Sequence, residues 1–159
     1  MTNVAPGPTP APAPAPAPAP TPKSKAQCTG EEAVHYYAAY KSASQLCSTA
    51  EAKYETLASE ALTVAARNHY SAEALAAARD VFLLDNEYLA WSTEGALILP
   101  PDAATVQKIL DGVTALSATI AQDANATRIG SLLAEGLGIF AKLSAPAAAP
   151  APAGQGAAA

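Results

Sequence analysis

A hydrophobic stripe runs through residues 36–64, where apolar side chains recur at alternating steps of four and three. This spacing places them on one side of an α-helix and requires a facing helix to cover them. A capping box of Thr29 and Glu32 precedes the stripe, and no Gly or Pro then interrupts the chain up to Asn68. We therefore predict a first helix that runs unbroken to Asn68. A second capping box at Ser48 makes two shorter helices the alternative. The stripe consists of Tyr36, Tyr40, Ala43, Cys47, Ala50, Tyr54, Leu57, Ala61 and Val64.

Three further helices are indicated by patterns of the same kind. Ser71 is a good N-cap for a second helix that ends near Thr93, and Asp102 is a good N-cap for a third. A fourth helix is predicted over residues 127–143, after a polar break at residues 123–125. The inward positions of these helices are Ala74, Ala77, Val81, Leu84, Tyr88 and Trp91; Val106, Ile109, Val113, Leu116 and Ile120; and Ile129, Leu133, Phe140 and Leu143.

The predicted fold class is all-α, an antiparallel up-and-down bundle of about four helices with a long first helix. Short links join the first helix to the second and the third to the fourth, and no segment alternates as a strand does. Phe82, Leu83 and Leu89 widen the apolar arc of the second helix enough to contact two neighbours. Small residues four apart let two helix backbones approach closely. The fourth helix carries such a set in Gly130, Ala134 and Gly138.

Both ends of the chain differ from this pattern in composition. Residues 5–22 alternate Pro with Ala almost without exception, which favours an extended polyproline II spacer of about 50–60 Å. The C-terminal segment has a similar Ala, Pro and Gly content. We predict a disordered Ala–Pro arm over residues 1–27, a helical bundle domain over 28–144 and a disordered tail over 145–159.

Charge and hydropathy restrict the partners. The formal net charge of −5 disfavours nucleic acid and anionic lipid surfaces. No stretch approaches the ~20 apolar residues that a membrane span needs. The N-terminal residues lack the features of a secretory signal. The expected location is therefore the cytoplasm or a virion if Met1 is the true start, and the cell envelope if an upstream signal is missing.

The two cysteines are too far apart to pair within the chain. Cys47 lies roughly 25 Å along the first helix from its start. Three residues of extended chain from Cys28 can span only about 10 Å. We expect Cys47 to be a small buried apolar residue. Cys28 is then a free thiol and the candidate for an intermolecular disulfide.

Candidate chemistry is sparse. Glu32 and His35 have the Glu-x-x-His spacing of di-iron bundles, but Ala66 occupies the matching position before His69. Neither histidine stands in a recognisable nucleophile–base motif, and no Gly-rich phosphate loop is present. We predict no catalytic residue, no metal site and no cofactor, and therefore not an enzyme.

Aromatic residues provide the remaining functional signal. A first helix running to Asn68 is longer than any predicted partner, so its tyrosines are expected to need cover from other helices or from another protein. The predicted function is a non-catalytic interaction or structural module that binds a protein or itself. We expect the Ala–Pro arm to tether this module. We expect the module to be an accessory part of a phage particle or bacterial envelope assembly. The alternative is a small-ligand-binding bundle or periplasmic sensor that uses the Tyr/Trp cluster. The candidate interface residues are Tyr36, Tyr37, Tyr40 and Tyr54.

Overall fold

The computed structural model describes residues 21–122 and 126–144, and over these ranges the chain is helical with short connections. The predicted all-α bundle of four helices is confirmed. The predictions for residues 1–20, 123–125 and 145–159 lie outside the described ranges. The helices are α1 (Gly30–Glu60), α2 (Val64–Ser92), α3 (Ala103–Ala121) and α4 (Ala126–Ala141), preceded by a 3-10 turn at Lys25–Gln27.

The first helix is the centre of the bundle. α1 contacts α2, α3 and α4, and α3 also contacts α4, whereas α2 packs mainly against α1. The capping box at the start of α1 forms as predicted: Thr29 Oγ1 accepts from the Glu32 N–H, and Glu32 Oε2 accepts from the Thr29 N–H. The bundle is therefore a group of three helices, α1, α3 and α4, to which α2 is attached mainly through α1.

The first helix ends earlier than predicted. α1 continues through Ser48, so the two-helix alternative is wrong, but it stops at Glu60 rather than Asn68. Ala61 is extended, and the side chain of Thr63 accepts a hydrogen bond of 3.1 Å from the N–H of Ala66, which starts α2. The predicted cap Ser71 lies inside α2. At about 1.5 Å per residue, α1 and α2 have nearly equal lengths of about 45 Å and pair along most of their extent.

Two core clusters fill the interior. The aromatic cluster lies at the end where α1 begins and α2 and α4 finish, and it is built around Tyr36, Trp91 and Phe140. The aliphatic cluster lies towards the opposite end. The inward stripe predicted for α1 is buried from Tyr36 to Tyr54, while Val64 is 71 % exposed because the helix has already ended. The aliphatic cluster comprises Leu46, Ala50, Tyr54, Ala74, Val113, Leu116, Ile129 and Leu132.

The segments that lead into both terminal regions meet at one point. Lys23 and Ile98 exchange two backbone hydrogen bonds, with N–O distances of 2.7 and 2.9 Å. On the other side, the N–H of Leu99 donates to the carbonyl oxygen of Leu143 at 2.7 Å, and Ser144 forms a second bridge with Ile98. The connection between α2 and α3 therefore holds the root of the N-terminal arm and the root of the C-terminal tail side by side.

Candidate protein-interaction surface

Three of the four candidate interface tyrosines lie inside the bundle. Tyr36 is 1 % exposed, Tyr54 2 % and Tyr40 9 %. The ring of Tyr36 stacks on Phe140 with centroids 5.8 Å apart and meets Trp91 edge-on at 4.7 Å. The chain's own helices cover these rings because α1 and its partner α2 are nearly equal in length, 31 and 29 residues. Tyr37 alone among the four is an exposed residue, at 45 %.

Tyr37 belongs to a group of contacting rings between α1 and α2, in which Tyr40 and Tyr88 stack and Tyr37 is tilted against both. The centroid of Tyr88 lies 5.6 Å from that of Tyr37 and 4.4 Å from that of Tyr40. The ammonium of Lys41 lies 5.9 Å from the Tyr37 ring centre and 5.5 Å from that of Tyr40, close enough for cation–π attraction. We call Tyr37, Tyr40, Lys41 and Tyr88 the tyrosine patch. It combines the exposed ring of Tyr37, the half-buried ring of Tyr88, the buried ring of Tyr40 and the positive charge of Lys41.

A second exposed apolar surface lies on α2, on the side turned away from α1. Leu75, Phe82 and Leu89 follow one another at intervals of seven residues, and they are 73 %, 64 % and 59 % exposed. Leu83 extends this surface and is 44 % exposed. We call these four residues the outer face of α2. The expectation that the wider apolar arc would contact two neighbours was wrong, because α3 and α4 pack on α1 and leave α2 with one main neighbour.

The outer face carries little charge of its own. Arg79 and Asn86 are the exposed polar residues that follow Leu75 and Phe82 by one helical turn. The acidic residues of α2 lie to either side of this stripe, by their helical positions. A partner that covers the outer face would therefore bury large apolar side chains, with one arginine beside them.

The small residues of α4 are placed differently from the prediction. Ala134 and Gly138 are exposed, and a β-carbon at Gly138 would meet nothing within 4 Å. At Gly130, a β-carbon would lie 3.2 Å from the hydroxyl oxygen of Tyr54. Among the glycines of α4, Gly136 has the tightest surroundings, because a β-carbon there would clash with Cδ2 of Leu46 on α1. A sequence signal for Gly136 existed, because it lies between Leu132 and Phe140 in the buried stripe at helical spacing.

Both thiols are free and neither is activated. Cys47 is fully buried, and burial raises the pKa of its thiol to about 12. Cys28 is partly buried, and burial together with the charge of Glu32 raises its pKa, against the smaller effects of Lys23 and the Trp91 indole. The buried indole N–H of Trp91 forms no hydrogen bond with any described residue. Cys28 thus remains the thiol within reach of solvent.

Glu32, the carboxylate of the Glu-x-x-His pair with His35, is used in helix capping. The Glu32 carboxylate accepts from the Lys23 ammonium at 2.7 Å and from the Thr29 N–H at 2.8 Å. These hydrogen bonds lower the pKa of Glu32, that of Lys23 having the largest effect. Across residues 21–122 and 126–144, no three His, Cys, Asp or Glu side chains are grouped so that they could hold a metal ion. None of the helices within these ranges combines the length and apolarity needed to cross a membrane.

No protein-family model, no curated protein and no solved structure matches this chain. The fold and the exposed surfaces are therefore the basis for assigning a function. They define an all-helical bundle with two distinct candidate binding surfaces, the outer face of α2 and the tyrosine patch.

Proposed function

We propose that this protein is a non-catalytic helical interaction module, tethered by its Ala–Pro arm and serving as an accessory part of a phage particle or bacterial envelope assembly. The observation that carries this proposal is the outer face of α2. Its large apolar side chains are exposed, although the bundle already has a filled core. Exposed apolar patches of this kind are typical of protein–protein contact sites.

The shape of the outer face favours a helical or grooved protein partner. Anchors at intervals of seven residues form a narrow stripe along one helix, the pattern that α-helices present to a groove or to another helix. Leu75 and Leu89 are about 21 Å apart along the axis of α2. Burial of apolar surface contributes about 25 cal/mol per Å². Three large side chains therefore supply a substantial part of a moderate binding energy.

The arm and tail support a tethering role. Their roots lie together beside Ile98, at one end of the bundle. In the proposed mechanism, the arm sets the reach from an attachment point and the outer face of α2 makes the contact. The Ala- and Pro-rich composition is the basis for assigning the module to a bacterium or phage.

Self-association of the full chain is the first test. We expect sedimentation velocity to detect a dimer whose population rises with protein concentration. Phe82→Ser and Leu89→Ser should shift the chain towards monomer, because each removes an apolar anchor. Leu62→Ser is the matched control, since Leu62 is 100 % exposed but lies in the connection between α1 and α2. A chain that stays monomeric at every concentration, or that loses its dimer equally in Leu62→Ser, contradicts self-association through this face.

A ligand-binding bundle is the second candidate, and one observation favours it. A cavity of about 530 Å³ lies between Tyr54, Tyr70, His69 and Glu73, next to the start of α4. This volume is in the range of small-molecule sites. The cavity is separate from the Tyr/Trp cluster, whose rings contact one another. A small molecule that raises the melting temperature of the native chain but not of Tyr70→Ala would support this function.

A further inference from the structure

The root of the Ala–Pro arm is fixed to the ends of two helices. The ammonium of Lys23 lies 2.7 Å from Oε1 of Glu32, in the first turn of α1. The ammonium of Lys25 donates a hydrogen bond of 3.2 Å to the carbonyl oxygen of Ser92, the last residue of α2. Pro22, the last proline of the arm, is exposed immediately before these contacts. The arm therefore leaves the bundle next to the pair of helices that carries the tyrosine patch.

Along the helix axes, the patch lies within about two turns of the residues that hold this root. Tyr37 follows Glu32 by five residues, about 7.5 Å along the axis of α1. Tyr88 precedes Ser92 by four residues, about 6 Å along the axis of α2. As polyproline II, residues 1–20 would span about 62 Å. The arm is thus several times longer than the distance it must cover to reach Tyr37 and Tyr88.

The chemistry of the arm matches that of the patch. Prolines occupy every even position from 6 to 22, and none of residues 5–22 is charged. A polyproline II helix has no internal hydrogen bonds, so its carbonyl oxygens would be available to donors. Aromatic grooves bind such segments by packing rings against prolines and donating hydrogen bonds to carbonyls. Tyr37 offers an exposed ring, while the half-buried ring of Tyr88 stacks on both Tyr40 and Tyr36 and leaves its edge beside Tyr37. The hydroxyls of Tyr37 and Tyr88 make no hydrogen bond to any described residue. The C-terminal tail is a weaker match, with prolines only at 146, 150 and 152.

We propose that the Ala–Pro arm folds back on its own chain and docks as a polyproline II segment on the tyrosine patch. Tethering makes weak contacts sufficient, because a short flexible linker gives an effective concentration of roughly millimolar. This inference does not depend on the outer face of α2, which lies on a different part of the surface.

Nuclear Overhauser contacts in the full-length chain test the docking. We expect contacts from the ring protons of Tyr37 and Tyr88 to proline and alanine protons of residues 5–22. Mixing ¹³C-labelled with unlabelled chains separates contacts within one molecule from contacts between molecules. Tyr37→Ser should abolish the arm contacts. Val64→Ser is the matched control and should retain them, since Val64 is 71 % exposed at the opposite end of α2.

A variant of the arm provides the reciprocal measurement. Replacing Pro10, Pro12, Pro14 and Pro16 by serine keeps the length and charge of the arm but weakens its polyproline II structure. We expect this variant to lose the ring contacts. We also expect a nitrating reagent to modify Tyr37 faster in this variant than in the native chain. The proposal is overturned if the native chain shows no ring–arm contact, if the contacts occur only between molecules, or if they come only from residues 145–159. Phe82→Ser distinguishes this inference from the proposed function, because it should abolish self-association and leave the ring–arm contacts in place.

Discussion

The hydroxyl of Tyr40 on α1 donates a hydrogen bond of 2.6 Å to Oδ1 of Asp85 on α2. The ring of Tyr40 is 9 % exposed and stacks on Tyr88 with 4.4 Å between centroids. Hydrogen bonds to a carboxylate are stronger than those between neutral groups. The bond therefore joins the two helices within the tyrosine patch, where α1 is the main neighbour of α2.

Replacing Tyr40 by phenylalanine should weaken the attachment of α2. Tyr40→Phe removes the hydrogen bond but keeps the ring, and we expect the free energy of unfolding to fall by about 1–2 kcal/mol. Urea unfolding followed by circular dichroism measures this loss. Tyr70→Phe is the control, because the Tyr70 hydroxyl makes no hydrogen bond to any described residue. Equal effects of the two variants would show that the bond to Asp85 contributes nothing.

High pH should destabilise the fold. The hydrogen bond to Asp85, followed by burial, raises the pKa of Tyr40 from 10.0 to about 12, and burial raises the pKa of Cys47 from 9.0 to about 12. The folded state therefore holds protons that the unfolded chain releases, so stability falls as pH increases. The contribution of these groups is fully present below about pH 9 and is lost as pH rises to about 12. Urea unfolding across this range should show the decline, and Tyr40→Phe should reduce it. A constant free energy of unfolding would contradict the assignment.

The two thiols should differ in reactivity. In the native chain near pH 8, we expect a disulfide reagent to modify Cys28 slowly, since its pKa is raised, and to leave the fully buried Cys47 unmodified. Both should react in denaturant. Any covalent dimer formed under oxidising conditions should disappear in Cys28→Ser. A native chain in which Cys47 reacts as fast as Cys28 would show that the core opens readily.

Periodicity predicted the inward side of each helix but not the end of the first one. Tyr36, Ala43 and Cys47 are buried as the stripe required. The segment between α1 and α2 contains neither Gly nor Pro, and the apolar spacing continues through it to Val64. The break is indicated only by Thr63, whose capping role depends on the backbone turning there. Because the first helix was predicted to extend to Asn68, its tyrosines were expected to need cover from other helices or from another protein.

The outer face of α2 could not be assigned from the pattern alone. A helix that is apolar on two sides has the same sequence whether it sits between neighbours or at the edge of a bundle. Phe82 and Leu89 are exposed because α1 is the main neighbour of α2, and α3 and α4 pack chiefly on α1. The number of helices that pack on α2 is a property of the whole fold. Local spacing therefore predicts which positions are apolar, but not whether a neighbouring helix covers them.

Two glycines of α4 should respond oppositely to the same substitution. At Gly136 a new β-carbon would clash with Leu46, which is fully buried, and overpacking costs about 1–3 kcal/mol. Part of this cost is offset by the helix propensity of alanine, so we expect Gly136→Ala to lose about 1 kcal/mol. Gly138→Ala meets no atom within 4 Å and should gain about 0.5–1 kcal/mol. Equilibrium urea unfolding compares the two, and a gain in both would place α4 farther from α1 than described.

The start of α2 offers a direct comparison of the observed cap with the predicted one. Thr63 Oγ1 accepts a hydrogen bond of 3.1 Å from the N–H of Ala66, and Thr63→Ala leaves that N–H without its partner. Loss of such a cap costs about 1 kcal/mol. Ser71 lies exposed inside α2, where alanine is the better helix former, so Ser71→Ala should stabilise by about 0.5 kcal/mol. Thermal and urea unfolding of both variants measure these changes. If Ser71→Ala were the destabilising one, α2 would begin at Ser71 and α1 would extend past Glu60, which would again leave the end of α1 without a partner.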